Sequence, residues 1–230
     1  MEQLTFELAA PEPPSFANFL PGRNGEAVAG LLALARGEAR ETVLFLWGAP
    51  GSGRSHLLRA AVAAAPAGRA AVYVGAPTEV LAEPPADRGL VAVDDADTAD
   101  AAAQARLFTL FNRLKDTEGQ LIVAAAAPPA RVPLRDDLRT RLGWGLVYEL
   151  APLSDADKPE ALARYARERG FHLGEDVVAY LLMHGRRDMP TLVATLAALD
   201  RYSLAAKRAV TVPLLREWLQ RDLPLRPDRP

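Results

Sequence analysis

The sequence contains no cysteine. This absence excludes a disulfide framework, a thiolate metal site and a cysteine nucleophile. Histidine is also scarce, and the three histidines (His56, His172 and His184) are too scattered to match the spacing of a metal-binding motif. We therefore do not expect thiol chemistry or a histidine-based metal centre.

An excess of charge of one sign is missing as well. The 27 basic and 29 acidic side chains leave a net charge of -2, which gives no overall attraction to nucleic acid. No apolar run approaches the roughly 18 residues of a membrane span, and no signal-peptide pattern opens the chain. We expect a cytoplasmic protein without a membrane partner. Half of its 230 residues are apolar, enough for one α/β domain and a small second domain.

The most informative stretch covers residues 43–59 and reads VLFLWGAPGSGRSHLLR. Val43 to Trp47 is a continuous apolar run, typical of a strand buried on both faces. Gly48 to Ser55 fits the P-loop template G-x-x-x-x-G-[KR]-[ST], with Arg54 where lysine is usual. Leucines at helical spacing follow. The order strand, glycine-rich turn, helix is the context that this phosphate-binding motif requires.

The residue types of the motif suit a phosphate. Glycines let successive backbone N–H groups wrap around an anion, and the start of the following helix adds its dipole. Ser55 can offer its hydroxyl to a magnesium ion, and the planar guanidinium of Arg54 can meet phosphate oxygens. The alternative is a glycine-rich strand-to-helix turn that binds no ligand.

A second pair of polar residues ends another apolar run. Gly89 to Val93 predicts a buried strand, and Asp94 and Asp95 follow it directly. A buried parallel strand carries such acids to the carboxyl edge of its sheet, where the P-loop also lies. This is the Walker B pattern, in which Asp94 holds magnesium and Asp95 orients the attacking water. Alone, the pair could equally be a polar strand end or a helix cap.

Five predicted strands alternate with helices as far as residue 151, which favours an α/β domain with a five-stranded parallel sheet. After Pro152 the pattern contains four helices and no strand, which indicates a small all-α lid domain. We therefore expect a flexible arm at 1–14, a nucleotide-binding α/β domain at 15–151, a helical domain at 152–222 and a disordered tail at 223–230.

The arm carries its own pattern. Gln3 is followed by apolar residues at alternate positions, namely Leu4, Phe6 and Leu8. An extended peptide of this kind can dock in an apolar groove on a partner protein. An added edge strand or a disordered tail would give the same pattern.

With these motifs in place, nearly the whole chain resembles the AAA+ ATPases of the DnaA bacterial replication-initiator family. The matching segments are an opening motif (Phe16-Ala17-Asn18-Phe19 with Gly22), the Walker A region (Gly48 to Leu57), Walker B (Val93-Asp94-Asp95) and an arginine-finger box (Leu138 to Leu146). The N-terminal peptide (Gln3 to Leu8) resembles the clamp-binding peptide of the short, initiator-inactivating members of the family. An arginine finger is an arginine that one subunit presents to a nucleotide bound by its neighbour.

The resemblance implies roles for individual residues. Asn18 and Phe19 would lie by the adenine of ADP or ATP, and Ser55 and Asp94 would hold Mg²⁺. Arg141 would be the finger, Asp95 the second catalytic residue, and Gln3, Leu4, Phe6 and Leu8 the peptide that binds the sliding clamp. The remaining nucleotide-binding residues would be Gly48, Pro50, Gly51, Ser52, Gly53, Arg54, Ser55 and His56.

The chain departs from the family pattern at two positions that read the terminal phosphate of ATP. The sensor 1 region, usually polar, is all alanine from Ala124 to Ala127, and the sensor 2 arginine falls at Pro190, with Arg186 and Arg187 about one turn early. These departures favour diphosphate binding over independent ATP hydrolysis. We also expect no helix-turn-helix DNA-binding domain after the helical segment.

The resemblance therefore implies a regulatory inactivator of the initiator DnaA. It would dock on the DNA-loaded sliding clamp, the β subunit of DNA polymerase III, and offer Arg141 to ATP held by DnaA. Contact with DNA would be indirect, through the clamp, which would associate the protein with the nucleoid, and a homo-oligomer is left open. The alternatives are a self-sufficient AAA+ ATPase or clamp-loader-like remodeller, and a DNA-binding origin factor or helicase loader.

Overall fold

The structure is a computed structural model that describes residues 13–222. It divides into two compact units, one spanning Pro14–Leu153 and the other beginning at Ser154. The predicted peptide Gln3 to Leu8 and the predicted tail at 223–230 lie outside the described residues.

The first unit is built on a five-stranded sheet in which every pairing is parallel. Its strands are β1 (Val43–Trp47), β2 (Ala71–Val74), β3 (Leu90–Val93), β4 (Gln120–Ala125) and β5 (Leu146–Glu149). Across the sheet they follow the order β2-β3-β4-β1-β5, so β1 and β3 are separated by β4. The predicted α/β fold with a five-stranded parallel sheet is confirmed.

Helices cover both faces of this sheet, which explains why its central strands are apolar at every position except Gln120 at the start of β4. Successive side chains of a strand point to opposite faces. Phe45 accordingly packs in one core with the helices α3 (Ala101–Asp116) and α4 (Asp136–Leu142). Leu44 and Leu46 pack in the other core with α1 (Gly25–Arg36) and α2 (Arg54–Ala63).

Local signals set the ends of several helices. The Asp100 carboxylate accepts a hydrogen bond from the Ala103 N–H at 2.7 Å, which caps the start of α3. Gly37 ends α1 with a left-handed φ of 76°, a conformation that glycine adopts without strain. The local sequence therefore sets the start of α3 and the end of α1.

The second unit contains only helices: α5 (Lys158–Glu168), α6 (Glu175–His184), α7 (Met189–Ala206) and α8 (Val212–Asp222). They enclose an apolar core in which Leu162, Leu196 and Leu214 are completely buried. The sequence predicted that the first helix of this unit begins at Ser154, but α5 begins at Lys158. Ser154 instead caps a preceding turn, because its Oγ accepts from the Asp157 N–H at 3.2 Å.

Parallel strands bring distant parts of the sequence to one edge of the sheet. The P-loop follows β1, Asp94 follows β3, and Ala126 follows β4. All three lie beyond the carboxyl ends of neighbouring strands, the place where open α/β sheets bind their ligands. This edge holds the candidate site.

Candidate functional site

The P-loop adopts a backbone conformation that side chains would disturb. Gly51 and Gly53 have φ values of 81° and 101°, the left-handed region that favours glycine. A Cβ on Gly48 would lie 2.5 Å from the Leu150 carbonyl oxygen, and one on Gly53 would lie 2.8 Å from the Phe19 ring. The loop therefore needs glycine at these positions to leave a backbone cradle before α2.

Two polar atoms of the loop are buried without a hydrogen-bond partner among the described residues: Ser52 Oγ and Arg54 Nη1. A buried donor that stays unpaired costs free energy, so such atoms are suited to bind a polar ligand. A hydroxyl and a guanidinium N–H beside a glycine cradle suit phosphate oxygens. The residues present therefore fit the phosphates of a nucleotide.

Arg54 also joins the P-loop to the acidic end of β3. Its Nη2 lies 3.5 Å from the Asp95 carboxylate, while its side chain is only 10% exposed. Asp95 has a left-handed φ of 46°. Burial and the neighbouring Asp94 charge raise the pKa of Asp95, and Arg54 opposes them. The sequence placed both residues in the site, but it contained no signal for this contact.

The Asp94 carboxylate is almost completely buried and has two donors. Tyr73 Oη donates to Oδ2 at 2.9 Å, and the Asp95 N–H donates to Oδ1 at 3.0 Å. Burial and this hydrogen bond raise the pKa of Tyr73. Oriented carboxylate and hydroxyl oxygens are the ligands that magnesium prefers, and magnesium keeps several waters. Asp94 and the exposed Ser55 therefore fit a magnesium ion by their chemistry.

The opening motif lies against the P-loop. The Phe19 ring packs on Gly53 and lies 5.5 Å from the His56 ring, and His56 Nε2 is 2.9 Å from the Ser15 carbonyl oxygen. Asn18 Oδ1 accepts from the Ser15 N–H at 2.8 Å and takes part in a local turn. Phe19 and His56 thus join the cradle, whereas the adenine contact predicted for Asn18 stays a prediction.

The residues at and near the two expected sensor positions contact acidic side chains of the chain itself. After β4, the Ala126 N–H donates to the Asp97 carboxylate at 3.0 Å, so an acid faces the place where a polar sensor is usual. Within the helical unit, Arg187 pairs with Asp155 at 2.9 Å and Arg186 pairs with Asp188 at 3.3 Å. Both arginines are therefore engaged within their own unit.

Three arginines lie at helix α4 in two kinds of environment: Arg135 directly before its first residue, and Arg139 and Arg141 within it. Arg135 pairs with Asp137 and Arg139 pairs with Asp136, each at 2.7 Å. For Arg141, the sequence allowed a salt bridge to Asp137, but that carboxylate is taken by Arg135. Arg141 Nη1 instead donates to the Asp137 carbonyl oxygen at 3.4 Å.

The Arg141 guanidinium rests on aromatic rings. It lies 4.2 Å from the centre of the Phe108 ring and 5.9 Å from that of Trp144, whose side chain is 65% exposed. No carboxylate of residues 13–220 forms an ion pair with it, whereas Arg135 and Arg139 are both paired. A cation held by π-faces and left without a counter-ion remains able to meet an anion. The sequence did not predict that Phe108 contacts Arg141, since the helical spacing of Phe108 indicated only core packing.

The described helices include none that is both long and apolar enough to cross a membrane. The same residues contain no cluster of three or more acidic or histidine side chains that could hold a metal.

Two family models match adjoining parts of the chain. Residues 86–149 match the bacterial DnaA ATPase domain, and residues 155–219 match the lid domain of Hda. The first match contains Asp94, Asp95 and Arg141, and the second covers nearly all of the helical unit.

Solved structures share the fold. Domain III of the Thermotoga maritima replication initiation protein DnaA is similar with a TM-score of 0.78 and 20% identity, covering 90% of this chain and 95% of that one. AMPPCP-bound DnaA from Aquifex aeolicus has a TM-score of 0.67 and 22% identity, over 81% of this chain and 64% of that one. The Thermotoga maritima RuvB Holliday junction branch migration motor has a TM-score of 0.68 and 17% identity, over 90% of this chain and 72% of that one.

Proposed function

The chain is a member of the Hda- and DnaA-related AAA+ family, and from that premise we propose that it is a regulatory inactivator of the replication initiator DnaA. It would stimulate hydrolysis of ATP bound to DnaA by supplying Arg141 as an arginine finger, and so prevent re-initiation. The observation that carries this proposal is the Hda-type lid, at 155–219, directly after a DnaA-type ATPase segment.

The environment of Arg141 supports its role as the finger. Its neighbours Arg135 and Arg139 have their charges compensated by carboxylates, whereas Arg141 lies on Phe108. A finger must bring an uncompensated positive charge to the phosphoryl group during transfer. Arg141 meets that requirement without breaking an ion pair among the described residues.

The P-loop would hold the chain's own nucleotide, and we favour ADP. The backbone cradle, Ser52 and Arg54 suit the diphosphate, and magnesium bound by Ser55 and Asp94 would neutralise phosphate charge. The Asp97 carboxylate, which accepts from the Ala126 N–H in the sensor 1 region, would bring a like charge near a third phosphate. These features support ADP over ATP, and they give no reason to favour the alternative of a self-sufficient ATPase.

Docking on the sliding clamp is assigned to Gln3, Leu4, Phe6 and Leu8. The proposal rests on their sequence pattern and on the resemblance, since they lie outside the described residues. Clamp docking would bring the chain to DNA without a DNA-binding surface of its own. It would thereby couple inactivation of DnaA to clamps that replication has loaded.

The test is hydrolysis of radiolabelled ATP by DnaA, measured with this chain, with loaded clamps and with both together. We expect fast hydrolysis only when both are present. Turnover by this chain without DnaA would instead favour the self-sufficient ATPase. Tight, salt-dependent DNA binding by the isolated chain would favour the origin factor or helicase loader.

A further inference from the structure

Tyr73 lies between the P-loop helix and the acidic end of β3. Its hydroxyl donates to Asp94 Oδ2 at 2.9 Å, and the register of β2 on β3 pairs Tyr73 with Ala92, two residues before Asp94. The Asp94 side chain is nearly inaccessible to water. Tyr73 therefore supplies one of the two donors that hold the carboxylate, and the other is the Asp95 N–H at 3.0 Å.

A third residue holds Tyr73 itself. Arg59, on α2, donates from Nη2 to the Tyr73 hydroxyl at 3.3 Å, and its guanidinium lies 4.3 Å from the centre of the Tyr73 ring. The chain of contacts Arg59–Tyr73–Asp94 thus links the helix that follows the P-loop to the acid after β3. Because Arg59 takes the hydroxyl oxygen as its acceptor, the hydroxyl hydrogen is directed toward Asp94.

We infer that Tyr73 is a positioning residue for Asp94: its hydroxyl sets the orientation in which the carboxylate holds the magnesium ion of the nucleotide complex. The inference rests on the proposed nucleotide site. Outer partners of metal-binding carboxylates fix their orientation and tune their affinity for the ion. Without the Tyr73 hydroxyl, the buried Oδ2 would lose its donor, and the carboxylate would turn to find another.

A purely structural role of the Tyr73 hydroxyl would give a different result when the hydroxyl is removed. If Tyr73 only satisfied a buried acid, its loss would lower thermal stability and leave the effect of magnesium on nucleotide binding unchanged. A positioning role predicts a selective loss of the magnesium effect. ADP affinity measured with and without magnesium therefore separates the two roles.

The experiment compares the full chain with Tyr73→Phe and with the control Tyr148→Phe. Tyr148 lies on β5 with its ring against Gly30, so the control removes a hydroxyl elsewhere in the same sheet. Calorimetry measures ADP binding in EDTA and across a magnesium titration. We expect Tyr73→Phe to bind ADP normally in EDTA but to need about 10- to 100-fold more magnesium for the same gain in affinity. Tyr148→Phe should match the wild-type chain throughout.

A double-mutant cycle with Asp94→Asn makes the test sharper. If Tyr73 acts through Asp94, Asp94→Asn alone should remove most of the magnesium effect, and adding Tyr73→Phe should change it no further. The inference would be overturned if the losses of the magnesium effect in Tyr73→Phe and Asp94→Asn added up in the double variant. It would also be overturned if Tyr73→Phe responded to magnesium as the wild-type chain does. Normal ADP binding with no magnesium effect in the wild-type chain would overturn the inference alone. A wild-type chain that binds no nucleotide would overturn the proposed nucleotide site as well.

Discussion

The Arg54 guanidinium lies 3.5 Å from the Asp95 carboxylate, so one side chain reaches from the P-loop to the acidic end of β3. A second nitrogen of the same guanidinium, Nη1, is buried and has no hydrogen-bond partner within residues 13–222. The two nitrogens differ in environment, because one meets an acid that is 51% exposed and the other is buried without a partner among the described residues. The exposed contact is worth little in stability, whereas the unpaired nitrogen is available to a ligand.

This difference predicts unequal effects of removing the two partners. Arg54→Ala should weaken ADP binding by about 10- to 100-fold, since a hydrogen bond to a charged group contributes about 1.5–3 kcal/mol. Asp95→Asn, the matched control, should leave ADP affinity nearly unchanged and stability within about 1 kcal/mol. For both variants, calorimetry measures the ADP affinity and thermal melting measures the stability. A larger loss of ADP binding in Asp95→Asn than in Arg54→Ala would contradict the assignment.

The sensor positions predict a preference for ADP over ATP. Asp97 holds the Ala126 N–H, and no neutral polar side chain replaces the missing sensor after β4. A third phosphate would therefore meet negative charge without a compensating donor. Calorimetric titration with each nucleotide in magnesium checks this preference, and equal affinities would argue against it. Asp97→Asn should improve ATP binding and so reduce the difference between the ADP and ATP affinities.

Gly53→Asp should abolish nucleotide binding. The φ of 101° strains any side chain there, a Cβ would lie 2.8 Å from the Phe19 ring, and the carboxylate would bring negative charge to the cradle. Gly25→Asp is the control, since a Cβ at Gly25 meets nothing within 4 Å. Fluorescent ADP binding and circular dichroism measure the outcome. Retained binding by a folded Gly53→Asp chain would place the phosphates elsewhere.

Arg141→Ala should remove stimulation of ATP hydrolysis on DnaA. An arginine finger contributes about 10³ to 10⁵ in rate, whereas losing its contact with Phe108 would cost only about 0.5–1 kcal/mol at an exposed site. Folding, ADP binding and clamp binding should therefore be nearly normal. Arg139→Ala is the matched control on the same helix, because Arg139 is paired with Asp136. Stimulation at the wild-type rate by Arg141→Ala would refute the proposed mechanism.

Replacing Gln3 and Leu4 together with alanine should eliminate clamp binding. In the proposed docking peptide, Gln3 hydrogen-bonds at the rim of the groove and Leu4 fills an apolar pocket. Because the sequence pattern assigns both residues to an arm ahead of the α/β domain, thermal stability and ADP binding should stay at wild-type values. Co-migration with loaded clamps in gel filtration measures the effect. A double mutant that still co-migrates would show that the clamp contact lies elsewhere.

Much of the fold could be predicted from local pattern. The apolar run Val43 to Trp47, the glycines after it and the leucines of α2 predicted strand, loop and helix in the order found. The parallel α/β sheet and the helical second unit followed from the alternation of strands and helices and its end after Pro152. Helix ends were less certain, as at Ser154, because a capping residue also stabilises a turn that precedes a helix.

The sequence by itself determined which residue types lie in the candidate site: a glycine-rich cradle, Arg54 and a pair of acids after a buried strand. It also predicted Arg141 as an arginine finger. Only the tertiary structure decided how they meet. Strand β4 lies between β1 and β3, Tyr73 meets Asp94 across 21 positions of sequence, and Arg141 rests on Phe108 of another helix. Such contacts depend on strand order and on the packing of helices against the sheet, which periodicity within one segment does not encode.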